Sequence, residues 1–366
     1  MKTATEIIHS LKTDCLHYRG DRPCEPHSRR GATCQCDEYL AVQRRGVIVK
    51  LGAAGDVLRT TPLLRAVQKH LPRTRLLFVT HSPELIPVEA AEAVHPTAPV
   101  LQRLRSAEWD FCWNLDKDMD ACAIADAVQT KSRKGYGLRE GVPFPVDEAA
   151  WHKFATGVDD SYSKANTLSY VQEIFDIVGL PFAGEEYWLN PPTAEDIQTA
   201  DSLFPGNDWI GLNTGAGHRW PTRLWPAEHW LRLIAKLQRE GLKPLILGGP
   251  EEKELNERLS RETNCKTSGI RSLGVFNALI HKCRVVVTSV TQAMHLTIAA
   301  RKPLLLFNNI FNRHEFELYG RGRIIEPEQA CGCFYSPTCL SGRNCMKEIS
   351  PETVSQAILE LLRKAD

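Results

Sequence analysis

Apolar positions along the chain fall into two alternating patterns: short continuous runs, and longer stretches with helical spacing. "GVIVKL" (46–51) reads as a buried strand. In the "VLRTTPLLRAVQKHL" that follows, Leu63, Leu64, Val67 and Leu71 share one helical face. That helix is expected to start at Pro62 with Thr61 as its cap, because proline suits a first helical position and kinks an interior. "RLLFVT" (75–80) is a second strand, so the chain opens with the strand–loop–helix–strand unit of a parallel sheet. "WDFCWNLD" (109–116) predicts another strand and "MDACAIADAV" a helix. "SKANTLSYVQEIFDIVGL" (163–180) reads as one helix ended near Gly179.

"PFAGEEYWLNPPTAED" (181–196), rich in proline and glycine, interrupts the pattern as an interdomain connection would. The alternation then restarts. "WIGLNTGAG" (209–217) is a strand with a glycine-rich exit, and "PAEHWLRLIAKLQREG" (226–241) a helix with proline at its start and glycine at its end. "LKPLILGG" (242–249), "RVVVTS" (284–289) and "PLLLFN" (303–308) are strands. "LGVFNALIHKC" (273–283), "TQAMHLTIAAR" (291–301) and "PETVSQAILELLRK" (351–364) are helices. The expected organisation is a polar module at 1–45, a Rossmann-like acceptor domain at 46–190, a second Rossmann-like donor domain with a Cys-containing tail at 191–350, and a closing helix at 351–366. Ligand is expected in the cleft between the two α/β halves, at the carboxyl ends of their strands.

Bulk composition narrows this only a little. At 366 residues the chain suits two domains, and its 43% hydrophobic and 24% charged content is that of a soluble globular protein. A net charge of +1 gives no basic excess for nucleic acid. "MKTATEIIHSLK" holds no apolar leader segment, and no run approaches the roughly 18 residues of a membrane span. The expected setting is cytoplasmic, with peripheral contact to the inner membrane face.

The 12 cysteines change the picture more, because eight of them cluster. Cys15, Cys24, Cys34 and Cys36 lie at the start; Cys331, Cys333, Cys339 and Cys345 lie near the end. In a reducing compartment, grouped thiols favour a structural metal, zinc or iron, over disulfides. Buried free thiols are the alternative.

Two glycine-rich loops carry the candidate chemistry. "KLGAAGD" (50–56) lacks the Gly-Lys-Ser/Thr of a nucleotide triphosphate loop and the G-x-G-x-x-G of a dinucleotide fold. It ends on Asp56, a carboxylate that a phosphate would avoid. "NTGAGHRWPTRLWP" (213–226) is the opposite: backbone N–H groups around Thr214, Gly215 and Gly217 can cradle anionic oxygens, and Arg219 and Arg223 add positive charge. Thr291 and Gln292, at a helix start, are further anion-binding candidates. This division suits a phosphorylated donor on the second half and a hydroxyl acceptor on the first, beside Lys50 and Gly55.

Taken together, "VIVKLGAAGDVLRTTPLLRAV", "IGLNTGAGHRWPTRLWPAEHW", "LKPLILGGPEE", "VVVTSVTQAMHLTIAARKPLLLF" and "CGCFYSPTCLSGRNCMKEISPETV", in this order, resemble glycosyltransferase family 9, the heptosyltransferase-like family of lipopolysaccharide synthesis. The resemblance implies a GT-B fold, two facing Rossmann-like domains. It also implies an inverting sugar transfer from a nucleoside diphosphate donor, ADP-heptose as the first choice, to a hydroxyl of a glycan or lipid-linked acceptor. No cofactor is needed for that catalysis. Asp56 matches the general base, Arg223 the diphosphate contact and His295 a donor contact. Val290 and Gln292 stand where the family often has an acid and a glycine, and "NNIFNRHEFELYG" (308–320) replaces its usual Phe-Gly-Pro-Thr loop, marking a divergent branch. A protein O-glycosyltransferase, with the N-terminal module docking a polypeptide, is the alternative within the class. A nucleotide-sugar-binding module without turnover, or a metal or redox sensor, lies outside it.

Overall fold

The computed structural model describes residues 3–217, 220–329, 332–339 and 342–365. The chain divides into two compact units, Met1–Phe154 with Ile174–Glu185, and Ala155–Glu173 with Glu186–Asp366. Each is organised around one sheet.

Val47, Ile48 and Val49 have no exposed surface, because the strand that bears them has parallel neighbours on both sides. Among the described residues, the first unit holds β1 (Arg44–Val49), β2 (Thr74–Val79), β3 (Glu92–Val94), β4 (Phe111–Asn114), β5 (Arg133–Arg139) and β6 (Val142–Pro145). Their order is β3-β2-β1-β4-β5-β6, parallel except for the β5–β6 hairpin. The second unit holds β7 (Trp209–Asn213), β8 (Lys243–Leu247), β9 (Lys266–Thr267), β10 (Cys283–Ser289), β11 (Leu304–Phe307) and β12 (Gly322–Ile325). Its order is β12-β11-β10-β7-β8-β9, all parallel. In each sheet the strand order reverses direction at its first strand, between β1 and β4 and between β7 and β10. Such switch points leave a crevice at the strands' carboxyl ends. Each glycine-rich loop exits its own sheet there.

The core of the second unit packs two helices and the loop end at Trp225 against its sheet. Helix Ala227–Arg239 buries Trp230, Leu233, Ile234 and Leu237 against the sheet, and the C-terminal helix Pro351–Ala365 adds Val354, Ala357 and Ile358 to the same cluster. The Leu, Ile and Val side chains among these each contribute about 1.5–3 kcal/mol on burial. Trp225, 2% exposed, packs edge-on to Trp230 and against Phe307, and its Nε1 donates to the Ile349 carbonyl at 2.9 Å.

The N-terminal segment belongs to the first unit. Helix Ala4–Ser10 starts with a Thr3–Glu6 capping box, and Cys15 forms a backbone bridge to Ala41. Arg75 Nη2 donates to the Cys15 carbonyl at 2.6 Å, which ties the segment to β2.

Three local expectations change. A short helix, Ala54–Leu58, precedes helix Pro62–His70, so Asp56 lies within helical backbone and not in an open loop. Pro62 does begin the second helix, but the Thr61 hydroxyl donates back to the Leu58 carbonyl at 2.7 Å instead of capping an N–H. The stretch 163–180 forms two helices, Asp160–Ala165 and Tyr170–Val178, because the Asn166 side chain bonds both the N–H and the carbonyl of Leu168. No described helix is long and apolar enough to cross a membrane.

Candidate active site

In the first unit, the chain leaving β1 turns at Gly52 into helix Ala54–Leu58. Asp56 is partly exposed, with Arg59 Nη2 at 2.7 Å from its Oδ1, and Gly55 stands beside it in the same helical turn. Lys50, expected on the acceptor side, is instead 3% exposed and ion-paired with Asp116. Asp116 follows β4, and the sequence alone does not single it out; its Oδ2 accepts the N–H groups of Leu51 at 2.5 Å and Gly52 at 2.8 Å.

In the second unit, the loops after β7, β8 and β10 line a cavity of about 420 Å³. Of the expected residues it gathers Gly215, Gly217, Arg223, Thr291 and Gln292, with Val290 among them. Glu252, Arg271 and Phe276 join the wall. Sequence reasoning passed over these three; the "GGPEE" turn after β8 was the available signal for Glu252, which accepts the Gly249 N–H at 2.8 Å. The other expected residues are placed differently. Thr214, 2% exposed, directs its hydroxyl to Asn256 Oδ1 at 2.6 Å. His295 is 6% exposed, stacks on Tyr187 and has its Nδ1 3.4 Å from that phenol, one helical turn beyond Gln292 and off the cavity wall. Arg219 lies outside the described residues.

Among the described residues, Arg223 is one of four charged residues on the cavity wall, with Glu251, Glu252 and Arg271, and it is the buried one. It is 5% exposed; Nη1 donates to the Val290 carbonyl, Nη2 to the Ala216 carbonyl, and the guanidinium lies over the Phe311 ring. No carboxylate among the described residues pairs with it, and its Nε has no partner among them. Burial pushes the guanidinium down to about 10, so it remains a cation at neutral pH. A buried cation held only by carbonyls and a ring face is costly unless an anion completes it. Asn213 Nδ2 meets the Thr288 hydroxyl at 3.0 Å and the Thr291 hydroxyl at 3.4 Å, which ties the end of β7 to the end of β10 and the start of the loop after it.

The cysteine groups fit a metal less well. Among the described residues, no three His, Cys, Asp or Glu side chains come together to hold an ion. Cys15, Cys24, Cys34 and Cys36 are half-exposed and, as placed, form no such ligand set. In the tail, Cys333 and Cys345 are buried and Cys339 half-exposed, while Cys331 lies outside the described residues.

Comparison with known proteins fits this geometry. The sequence profile of glycosyltransferase family 9 (heptosyltransferase) matches residues 98–315. Lipopolysaccharide heptosyltransferase 1 of Escherichia coli O18:K1:H7 (strain RS218 / NMEC) is 22% identical over 88% of this chain and 99% of its own. The crystal structure of a family 9 glycosyl transferase from Veillonella parvula DSM 2008 superposes with a TM-score of 0.68 at 18% identity, covering 88% of this chain and 98% of that one. E. coli ADP-heptose lps heptosyltransferase II does so with 0.65 at 17%, covering 87% and 99%. The two parallel-sheet units are thus those of the GT-B heptosyltransferase fold, and with the profile spanning more than half its length the chain belongs to glycosyltransferase family 9, a family of heptosyltransferases.

Proposed function

We propose that this enzyme is an inverting glycosyltransferase that moves a heptose or closely related sugar from a nucleoside diphosphate, ADP-heptose first, to a hydroxyl of a lipopolysaccharide-type glycan. The observation that carries the reading is Arg223, a buried guanidinium without a carboxylate partner among the described residues, in a cavity edged by the Gly215–Gly217 and Gly248–Gly249 turns. That cavity offers a diphosphate the buried Arg223 cation, a second cation in Arg271, and close approach to the glycine backbone at its rim. The solved E. coli relative is an ADP-heptose enzyme and the relative found by sequence is a lipopolysaccharide heptosyltransferase, which supports the same donor and acceptor class here.

In the reaction, the acceptor oxygen forms a bond to the anomeric carbon as the bond from that carbon to the diphosphate oxygen breaks. The electron pair leaves with the nucleoside diphosphate, and the hydroxyl proton passes to Asp56. Arg223 and the N–H groups of the 215–217 turn stabilise the charge that grows on the leaving group; such preorganised donors account for much of the acceleration in many enzymes. General-base assistance from Asp56 adds about 10²–10⁴ in rate. Arg59 keeps the Asp56 carboxylate oriented until an acceptor hydroxyl arrives.

The test is a donor panel of ADP-, UDP- and GDP-sugars, read first by thermal shift and then by NMR of the product with a heptose-deficient lipopolysaccharide acceptor. ADP-heptose should stabilise the enzyme, by about 2.7 kcal/mol at a hundredfold excess over Kd, and the new linkage should have the anomeric configuration opposite to the donor. A retained configuration overturns the mechanism. Stabilisation without transfer to any acceptor supports the non-catalytic binding module instead.

A further inference from the structure

We infer that Asp116, neutralised by Lys50, is a positioning residue for Asp56: the buried pair clamps the backbone from which the base-bearing helix springs. The inference rests on Asp56 being the base, and deepens that reading.

The clamp is made of interactions that the local sequence does not announce. Lys50 Nζ reaches one oxygen of Asp116, and the Leu115 carbonyl at 3.4 Å. The other oxygen receives two successive N–H groups, those of Leu51 and Gly52, at 2.5 and 2.8 Å. Asp116 is itself fixed from below. Its own N–H donates to Asn114 Oδ1 at 3.0 Å, and Asn114, fully buried, donates to the Tyr136 carbonyl on β5 at 2.9 Å. The chain leaving β1 is therefore tied across the sheet to β4 and β5.

Gly52 shows how close this clamp lies to the base. A Cβ built on Gly52 would stand 3.2 Å from Asp56 Oδ2 and 3.4 Å from Asp116 Oδ1. The two carboxylates thus flank one glycine. Only one residue separates Gly52 from the first residue of helix Ala54–Leu58, on which Asp56 is the third residue. Any rotation of the Leu51–Gly52 peptide, freed of Asp116, swings that helix and its carboxylate. Lys50 matters because an unpaired carboxylate at this depth would draw in water, which would compete for the two N–H bonds. Lys50 then serves the acceptor side through Asp116 and not by touching substrate.

A double-mutant cycle tests this. Turnover at saturating donor is measured for the wild type, Asp116→Asn, Asp56→Asn and the double variant, each at a temperature where its unfolding curve shows it native. Misplacing a reacting group by about 1 Å can lower rates by up to about a hundredfold. Asp116→Asn should therefore lower kcat by roughly 10–100-fold with the donor KM unchanged, yet change residual turnover less than about twofold in the Asp56→Asn background. Equal losses in both backgrounds mean that Asp116 acts on the fold alone, and overturn the inference. Near-normal turnover of Asp56→Asn is a separate result, which removes the base reading itself. If Asp116→Asn does not fold, Lys50→Met goes through the same cycle, with the same non-additivity expected and additivity again overturning the inference.

Discussion

The carboxylate of Glu252 fills the space that a side chain at Gly215 would need: a Cβ built there would overlap Glu252 Oε1. Glu252 is held in turn by the Gly249 N–H. The glycine turns after β7 and β8 therefore meet through one side chain at the cavity wall. Gly215→Ala must displace Glu252 or the turn that carries it. Donor affinity should fall about tenfold or more, with a loss of about 1–3 kcal/mol in stability, the usual range for overpacking. Calorimetric titration with ADP-heptose and urea unfolding of the same protein check it; unchanged affinity would place Glu252 off the donor's path.

Arg223 supplies a sharper contrast, between ligands and not only between proteins. Its guanidinium is desolvated, carries its charge and lacks a carboxylate partner among the described residues. Arg223→Met should cut kcat/KM by about 10²–10³, the loss seen when one preorganised transition-state donor is removed. Binding of ADP should weaken far more than binding of adenosine, which has no phosphate for the cation to meet. Arg223→Lys should fall between, because an ammonium cannot donate to the Val290 and Ala216 carbonyls and lie flat over Phe311 at once. Equal losses for ADP and adenosine would reduce Arg223 to a scaffold for its loop.

How much of this is readable from the chain alone follows from sequence distance. Strands β1, β2, β4, β7, β8, β10 and β11 show as apolar runs because parallel strands are buried on both faces, whereas the short, half-exposed β3, β9 and β12 do not. The two glycine-rich loops stand where β1 and β7 end. Arg223 stands out in the sequence as a cation beside a glycine turn, and the structure places it on the wall of the cavity. The Lys50–Asp116 pair does not show, since 66 positions separate its partners and each residue looks ordinary alone. The β5–β6 hairpin is hidden by its mixed polar pattern, and the break in 163–180 by a single Asn166 side chain that competes with helical hydrogen bonds. His295 and Thr214 occupy family positions, but their bonds to Tyr187 and Asn256 exist only once distant elements pack.

The thiols should separate by depth. Burial pushes Cys112, Cys122, Cys265 and Cys283 up to about 12, which leaves almost no thiolate at about pH 8. Cys15, Cys24, Cys34 and Cys36 are half-exposed. Brief iodoacetamide treatment of the native enzyme, read by peptide mass spectrometry, should label the N-terminal four within minutes and the core four only after urea is added. If the N-terminal four are protected until a chelator is added, a metal holds them together and the open arrangement is wrong.

Trp225 connects stability to the loop that carries Arg223. Its indole is packed by Trp230 and Phe307, and its Nε1–H satisfies the Ile349 carbonyl beside the C-terminal helix. It also stands two residues after Arg223, so it anchors the end of the loop that carries the cation. Trp225→Phe keeps most of the packing but removes the indole donor to Ile349; losing that one hydrogen bond should cost about 0.5–1.5 kcal/mol. Trp225→Ala adds a cavity and should cost about 3–5 kcal/mol. Because the chain has two compact units, where a single two-state transition is not assured, the measurement should follow two probes: tryptophan fluorescence and protection by ADP-heptose. Both variants should lower the midpoint of the donor-protected transition, and Trp225→Ala should also weaken donor binding as Arg223 loses its anchor. If Trp225→Ala binds donor normally while folded, the loop is held by its other bonds, those of Arg223 to Val290 and of Thr222 to Asn309 and Ser336.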